Sequence, residues 1–125
     1  MSLFLVLLAA GDGKRFKSNT PKLYYKINNK TLLEHSFNAF NSLIKVKKTV
    51  IVYNKKHKKL LNKIKFKNSI KITGGKTRQQ STFKALKLIK KMNCKKVLIH
   101  DAARPNPSLK LLNEIINKLK NNHAV

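Results

Sequence analysis

Residues 3–9 form an unbroken apolar run, and three further runs of strand length follow at residues 49–53, 70–73 and 97–100, all rich in Val, Ile and Leu. Runs that do not alternate with polar positions predict strands buried on both faces. Between them, apolar positions recur at helical spacing: Leu32, Leu33, Phe37 and Phe40; Leu60, Leu61 and Ile64; Ala85, Leu86, Leu88, Ile89 and Met92; then Leu111, Leu112, Ile115, Ile116 and Leu119. Strand and helix thus alternate, which predicts a mainly parallel sheet with right-handed helical crossovers, a three-layer α/β/α Rossmann-like fold. Thr31-Leu32-Leu33-Glu34 reads as a capping box opening the first helix, which gives Glu34 a structural role, and Ser108 can cap the last helix. No repeat, linker or composition break divides residues 1–125, so they read as one domain. After the last helix, residues 121–125 read as a turn and the opening of another strand, so the pattern stops mid-fold.

Composition changes the picture in two ways. The formal charge is +25, from 29 Lys plus Arg against 4 Asp plus Glu, which points to anionic partners. Asn and Ile are also abundant, and Lys exceeds Arg 26 to 3, a pattern of AT-rich codon usage; runs such as Lys55-Lys56-His57-Lys58-Lys59 then read as solvated faces. Against that background the three Arg are informative, because Arg15, Arg78 and Arg104 each fall in a loop that follows a predicted strand: 11–22, 74–81 and 100–107. A guanidinium forks onto phosphate or carboxylate oxygens as an ammonium does not. The only acids, Asp12, Glu34, Asp101 and Glu114, exclude a carboxylate-rich metal cage. A single cysteine, Cys94, excludes an internal disulfide and a Cys-based zinc site and fits a reducing cytoplasm. The longest apolar run is eight residues, too short to span a membrane, and lacks the basic lead of a signal peptide.

In an open parallel sheet ligands bind beyond the carboxyl ends of the strands, so the three Arg-bearing loops are expected to meet there. The first reads Ala9-Ala10-Gly11-Asp12-Gly13-Lys14-Arg15, with Pro21-Lys22 following; its glycines allow backbone donors to approach a phosphate chain while Lys14, Arg15 and Lys22 supply charge. Neither the dinucleotide Gly-x-Gly-x-x-Gly nor the Walker spacing is met. In the second, Gly74, Gly75 and the Ser81 hydroxyl could read a base edge; a tight turn with Ser81 or Gln80 capping a helix explains the same residues. In the third, His100-Asp101-Ala102-Ala103-Arg104-Pro105, Asp101 is the acid best placed to ligate Mg²⁺ beside a polyphosphate, and an Asp101–Arg104 ion pair shaping the turn is the alternative. His100 could act as a base or simply end a strand in the core. His35, His57 and His123 show no metal-ligand spacing.

Taken together, Leu8-Ala9-Ala10-Gly11-x-Gly-x-Arg15 with Pro21-Lys22, Gly74-Gly75-x-x-Arg78-x-x-Ser81, and His100-Asp101-Ala102-Ala103-Arg104-Pro105 closely resemble the 2-C-methyl-D-erythritol 4-phosphate cytidylyltransferases over essentially the whole chain. The resemblance implies a nucleotidyltransferase fold and transfer of CMP from CTP to a polyol phosphate with release of pyrophosphate, in non-mevalonate isoprenoid biosynthesis. It further implies a divalent cation such as Mg²⁺ and a homodimer. By position, Ala9, Ala10, Gly11 and Gly13 would lie against the nucleotide, Gly74, Gly75 and Ser81 would form the cytosine loop, Arg15 and Lys22 would grip the triphosphate as catalytic groups, and Asp101 would meet the metal or ribose. The chemistry is compatible with so few acids, since the acceptor phosphate is already an anion and needs no general base.

Two departures stand out. Lys76 occupies a position where many relatives carry an acid that helps hold the ribose. The family also continues for roughly as many residues again beyond the point matching residues 124–125, supplying a further carboxylate, most of the acceptor pocket and the arm that embraces the second subunit. The expectation is therefore a truncated, nucleotide-binding part of the domain, inactive or weakly active alone. A ribitol-phosphate cytidylyltransferase is the alternative within the family. From another class, a basic nucleic-acid-binding module accounts for the charge, but Trp is absent and aromatics are 7%, little for base stacking. An inactive fragment is the third reading.

Overall fold

The computed structural model describes residues 3–11, 19–104 and 108–124. Expectations for Asp12, Gly13, Lys14, Arg15 and Pro105 therefore fall outside the described residues.

Four parallel strands form the main sheet: β1 (Leu3–Ala9), β4 (Lys48–Tyr53), β5 (Ser69–Thr73) and β6 (Lys96–Asp101), in the order β5-β4-β1-β6. A small antiparallel hairpin, β2 (Lys26–Ile27) and β3 (Lys30–Thr31), lies between β1 and α1 in the chain. The helices are α1 (Leu32–Leu43), α2 (Lys58–Asn62), α3 (Arg78–Lys90) and α4 (Leu109–Leu119).

The unbroken apolar run of β1 follows from its central place. Leu3, Leu5, Leu7 and Ala9 face one layer, with Leu33, Phe37 and Phe40 of α1, Leu61 of α2 and Leu112 of α4. Phe4, Val6 and Leu8 face the other, with Ala85 and Ile89 of α3. Burying both faces demands apolar side chains at every position. The chain winds outward from β1 through β4 to β5, then returns past β1 to β6. A right-handed crossover in that reversed direction puts α3 on the opposite face from α1 and α2, which creates the three layers.

The carboxyl ends of β1, β4, β5 and β6 lie side by side. Leu8 is in register with Asp101 and Val52, Ala9 with Tyr53, and Tyr53 with Thr73. The loops after these strands are thus brought to one edge.

The structure departs from the sequence expectations at four places. The second helix is a single short α2, entered through a 3₁₀ turn at Lys55–His57, with Leu61 as its one buried residue. The hairpin and a 3₁₀ turn at Lys22–Tyr24 were not foreseen. Residues 121–124 form turn and bend only, not the expected opening of a strand. Among the described residues no helix is long and apolar enough to cross a membrane.

Candidate functional site

The loop after β1 leaves the sheet with Ala10 half-buried and Gly11 exposed, while Ala9 stays buried at 1% exposure on the α1 face. Ala9 is therefore a core residue, and Leu8, part of the sequence motif but given no site role there, borders the crevice instead. The cause is alternation: at the end of a strand buried on both faces, neighbouring side chains point to opposite layers.

The loop after β5 is held tightly to this point. A Cβ on Gly74 would collide with Ala10 Cβ and stand 2.8 Å from Ser81 Oγ, so only glycine fits between β1 and α3. The Gly74 N–H donates to Tyr53 O (2.8 Å) and the Gly75 N–H to Ser81 Oγ (3.0 Å). Both glycine donors are thus spent within the protein, one on the end of β4 and one on Ser81. What the loop offers outward is the Ser81 hydroxyl proton, carbonyl oxygens and the side chains of Lys76, Thr77 and Arg78. Thr77 is the residue that caps α3, its Oγ1 accepting from Gln80 N at 3.1 Å, while Gln80 Oε1 accepts from Lys76 N at 2.8 Å. The capping expected of Ser81 or Gln80 thus belongs to Thr77, which frees Ser81 to line the crevice.

At the end of β6, Asp101 is half-buried and its turn is built from backbone donors. The Ala103 N–H donates to Asp101 Oδ1 (3.0 Å) and the Arg104 N–H to Asp101 O (3.1 Å). The turn is shaped by these amides rather than by a guanidinium, and Arg104 is exposed. Ser36 of α1 donates to the buried Ala102 carbonyl, and His100 Nε2–H donates to Arg104 O while its ring lies 4.5 Å from that of Phe40. His100 is thereby a brace for the loop that carries Asp101.

Two cavities of about 190 Å³ each open on this edge, and Leu8, Gly11 and Asp101 border both. The first is completed by the α3 loop, with Gly75, Lys76, Thr77, Arg78 and Ser81. The second is completed by Lys22 with Pro21 and Leu23 on one side and by His57 and Ala103 on the other. Lys22 is exposed and opens the 3₁₀ turn whose Leu23 and Tyr24 anchor in the core. Of the residues expected from the sequence, Ala10, Gly11, Gly74, Gly75, Ser81, Asp101 and Lys22 gather here; Ala9 does not reach the crevice, and Gly13 and Arg15 lie outside the described residues. His57 was missed, because its place in a lysine run hid it.

The remaining nucleophile and histidines do not join the site. Cys94, beside the amino end of β6, donates to Lys96 O (3.3 Å), and burial pushes its thiol up from the ordinary value. His35 Nε2 lies 2.7 Å from Ile27 O and ties the hairpin to α1. Among the described residues no three His, Cys, Asp or Glu side chains gather as metal ligands.

The family model for 2-C-methyl-D-erythritol 4-phosphate cytidylyltransferase matches residues 3–125. The chain belongs to this cytidylyltransferase family. The bifunctional enzyme IspD/IspF of Pelagibacter ubique is 52% identical over 125 residues, covering 100% of this chain and 34% of that protein. The cytidylyltransferase of Wigglesworthia glossinidia brevipalpis is 42% identical over 121 residues, 89% of this chain and 52% of that one. Among solved structures, bifunctional IspDF from Campylobacter jejuni superposes with a TM-score of 0.82 at 29% identity, covering 95% of this chain and 31% of its own. The Francisella tularensis cytidylyltransferase gives 0.75 at 27%, covering 98% and 54%. The chain thus spans about a third to half the length of these relatives, and the cytidylyltransferase fold is shared over nearly all of it.

Proposed function

We propose that the protein takes part in transferring CMP from CTP to 2-C-methyl-D-erythritol 4-phosphate with release of pyrophosphate, a cytoplasmic step of isoprenoid biosynthesis. The observation that carries this reading is Asp101, a carboxylate on the wall shared by two cavities, one edged by Ser81 and the glycine loop, the other by Lys22. Each cavity is smaller than the about 300–1,000 Å³ typical of a pocket for a whole drug-sized ligand, so a nucleotide with its phosphates would extend across both. Cytosine and ribose fit the Ser81 side, where a hydroxyl proton and carbonyl oxygens match the donors and acceptors of a base edge. The phosphates fit the side of Lys22, with Arg15 of the same β1 loop as their second cation.

The acceptor phosphate is an anion at neutral pH and attacks the α-phosphate without a base. This chain's residues then have two tasks: to align two anions and to offset the charge that develops on the leaving pyrophosphate. Lys22 supplies fixed positive charge, while the braced turn after β6 holds Asp101 in place. Mg²⁺ is ordinarily held by one or two carboxylates with substrate phosphates completing its shell. Asp101, with one oxygen bonded to Ala103 N–H, fits as such a ligand, and a bound Mg²⁺ would screen the phosphate charge.

Thermal denaturation with each nucleoside triphosphate tests the reading. CTP with Mg²⁺ is expected to raise Tm more than ATP, GTP or UTP, and Asp101→Asn to weaken CTP binding about ten-fold, chiefly in its Mg²⁺-dependent part. Equal stabilisation by all four nucleotides, or by none, would overturn it. Pyrophosphate release from CTP that requires the polyol phosphate is the direct readout of the reaction.

A further inference from the structure

We propose that His57 is a ligand-binding residue of this site, donating a hydrogen bond to a phosphate group held beside Lys22; the inference rests on the nucleotidyl-transfer reading above. In the sequence His57 sits in the run Lys55-Lys56-His57-Lys58-Lys59 and looks like one more solvated position. The structure separates it from its neighbours: all four lysines are exposed, whereas His57 is half-buried. The cause is local. After β4, Asn54 caps a 3₁₀ turn, its side chain accepting from Lys56 N (3.0 Å) and its carbonyl from His57 N (2.8 Å). That turn sends the imidazole back toward the sheet edge, where it packs edge-on against Tyr24, with centroids 5.6 Å apart and planes at 70°. Tyr24 is itself fixed in the core at 4% exposure, so the histidine ring is held against a rigid partner.

His57 also lines the second cavity, of about 190 Å³, together with Lys22, Gly11 and Asp101. Lys22 is exposed and gives charge without fixed direction, and ordering its long side chain costs rotamer entropy. An imidazole already pinned by Tyr24 loses little on binding and adds a directional N–H donor. Neutral imidazole carries one such N–H, so no change of protonation is required. The ligand chemistry that suits a cation, a positioned N–H donor and the amide of a glycine in so small a space is a terminal phosphate group. That group belongs to the leaving pyrophosphate or to the phosphate end of the acceptor.

Calorimetric titration of wild type, His57→Leu and His57→Asn distinguishes the cases, with CTP, inorganic pyrophosphate, methylerythritol phosphate and cytidine as probes. His57→Leu is expected to weaken a phosphate-bearing probe about ten-fold while leaving cytidine affinity and Tm unchanged, and His57→Asn, which keeps a donor, to recover part of the loss. A loss confined to CTP and pyrophosphate assigns the cavity to the leaving group; a loss confined to methylerythritol phosphate assigns it to the acceptor. Unchanged affinities in His57→Leu overturn the inference and leave the cytidylyltransferase reading standing. So does a parallel loss of cytidine binding with a lowered Tm, which would make His57 a packing residue for Tyr24. A wild-type protein that binds no CTP overturns both.

Discussion

Tyr24 buries its hydroxyl without a hydrogen-bond partner among the described residues, an arrangement that costs free energy at every pH. Burial, with Tyr53 close by as a second contribution, pushes the phenol up from 10.0 to about 12. Between those values the unfolded chain has released the proton while the folded one still holds it. This group's contribution to stability is therefore complete below about pH 10 and lost as pH rises toward 12. Tyr24→Phe removes both the orphaned hydroxyl and the ionisation. It is expected to raise stability at pH 7 by about 0.5–1 kcal/mol and to flatten the alkaline limb, as urea denaturation at pH 8 and pH 11 would measure. At this scale the sequence was informative where chemistry forces a residue type. Gly74 is legible because nothing larger fits between Ala10 and Ser81, and Asp101 because acids are so scarce. Ala9 and His57 were not legible. Whether a strand's last residue points at the ligand or at the core is a matter of parity, and whether one residue of a charged run turns inward depends on a 3₁₀ turn that the run itself does not announce.

At the level of elements, caps and buried runs were legible because they rest on local physics. The box opening α1 is complete: Thr31 Oγ1 accepts from Glu34 N (3.1 Å) and Glu34 Oε1 accepts from Thr31 N (3.0 Å). Thr31 is buried, whereas Ser108, which caps α4 through Leu111 N at 3.3 Å, is exposed. Thr31→Ala is thus expected to cost about 1–2 kcal/mol and Ser108→Ala about 0.5 kcal/mol, measured by urea denaturation. Equal costs would show that burial does not strengthen the first cap. Elements without a buried face were harder to read. The β2–β3 hairpin has two-residue strands with only Thr31 buried, so no alternation marks it. Its one signal was Asn28-Asn29, both at positive φ (53° and 66°), the backbone that a two-residue type I′ turn requires. Ile99 shows the converse limit. It reads as core in an apolar run, yet it is 40% exposed on β6, which stands at the edge of the sheet among the described residues, and strand order is something that no local pattern encodes.

For the molecule as a whole, +25 charges on 125 residues act against the compact state, and they act on ligands with the opposite sign. The lysines of the 55–59 run are exposed, as the codon-bias reading expects, and so repel one another through solvent. At 0.1 M salt the screening length is about 10 Å, and near 1 M about 3 Å, so added salt relieves repulsion between surface lysines. Raising NaCl from 50 to 500 mM is therefore expected to stabilise the fold by about 1 kcal/mol, a rise of about 4 °C in Tm. On the proposed function, CTP binding is expected to move the other way, because the same ions screen Lys22 and its neighbours from the phosphates. The size of that loss separates a nucleotide site from a nucleic-acid surface. A ligand with one triphosphate engages a few cations, so its affinity falls about ten-fold over this range. An oligonucleotide lying along many lysines displaces many counterions, and its affinity falls about a thousand-fold or more. Differential scanning calorimetry and parallel CTP and oligonucleotide titrations at the two salt concentrations give all three slopes from one preparation. Oligonucleotide binding that persisted at 500 mM NaCl would mean that the lysines form an organised surface rather than a solvated coat.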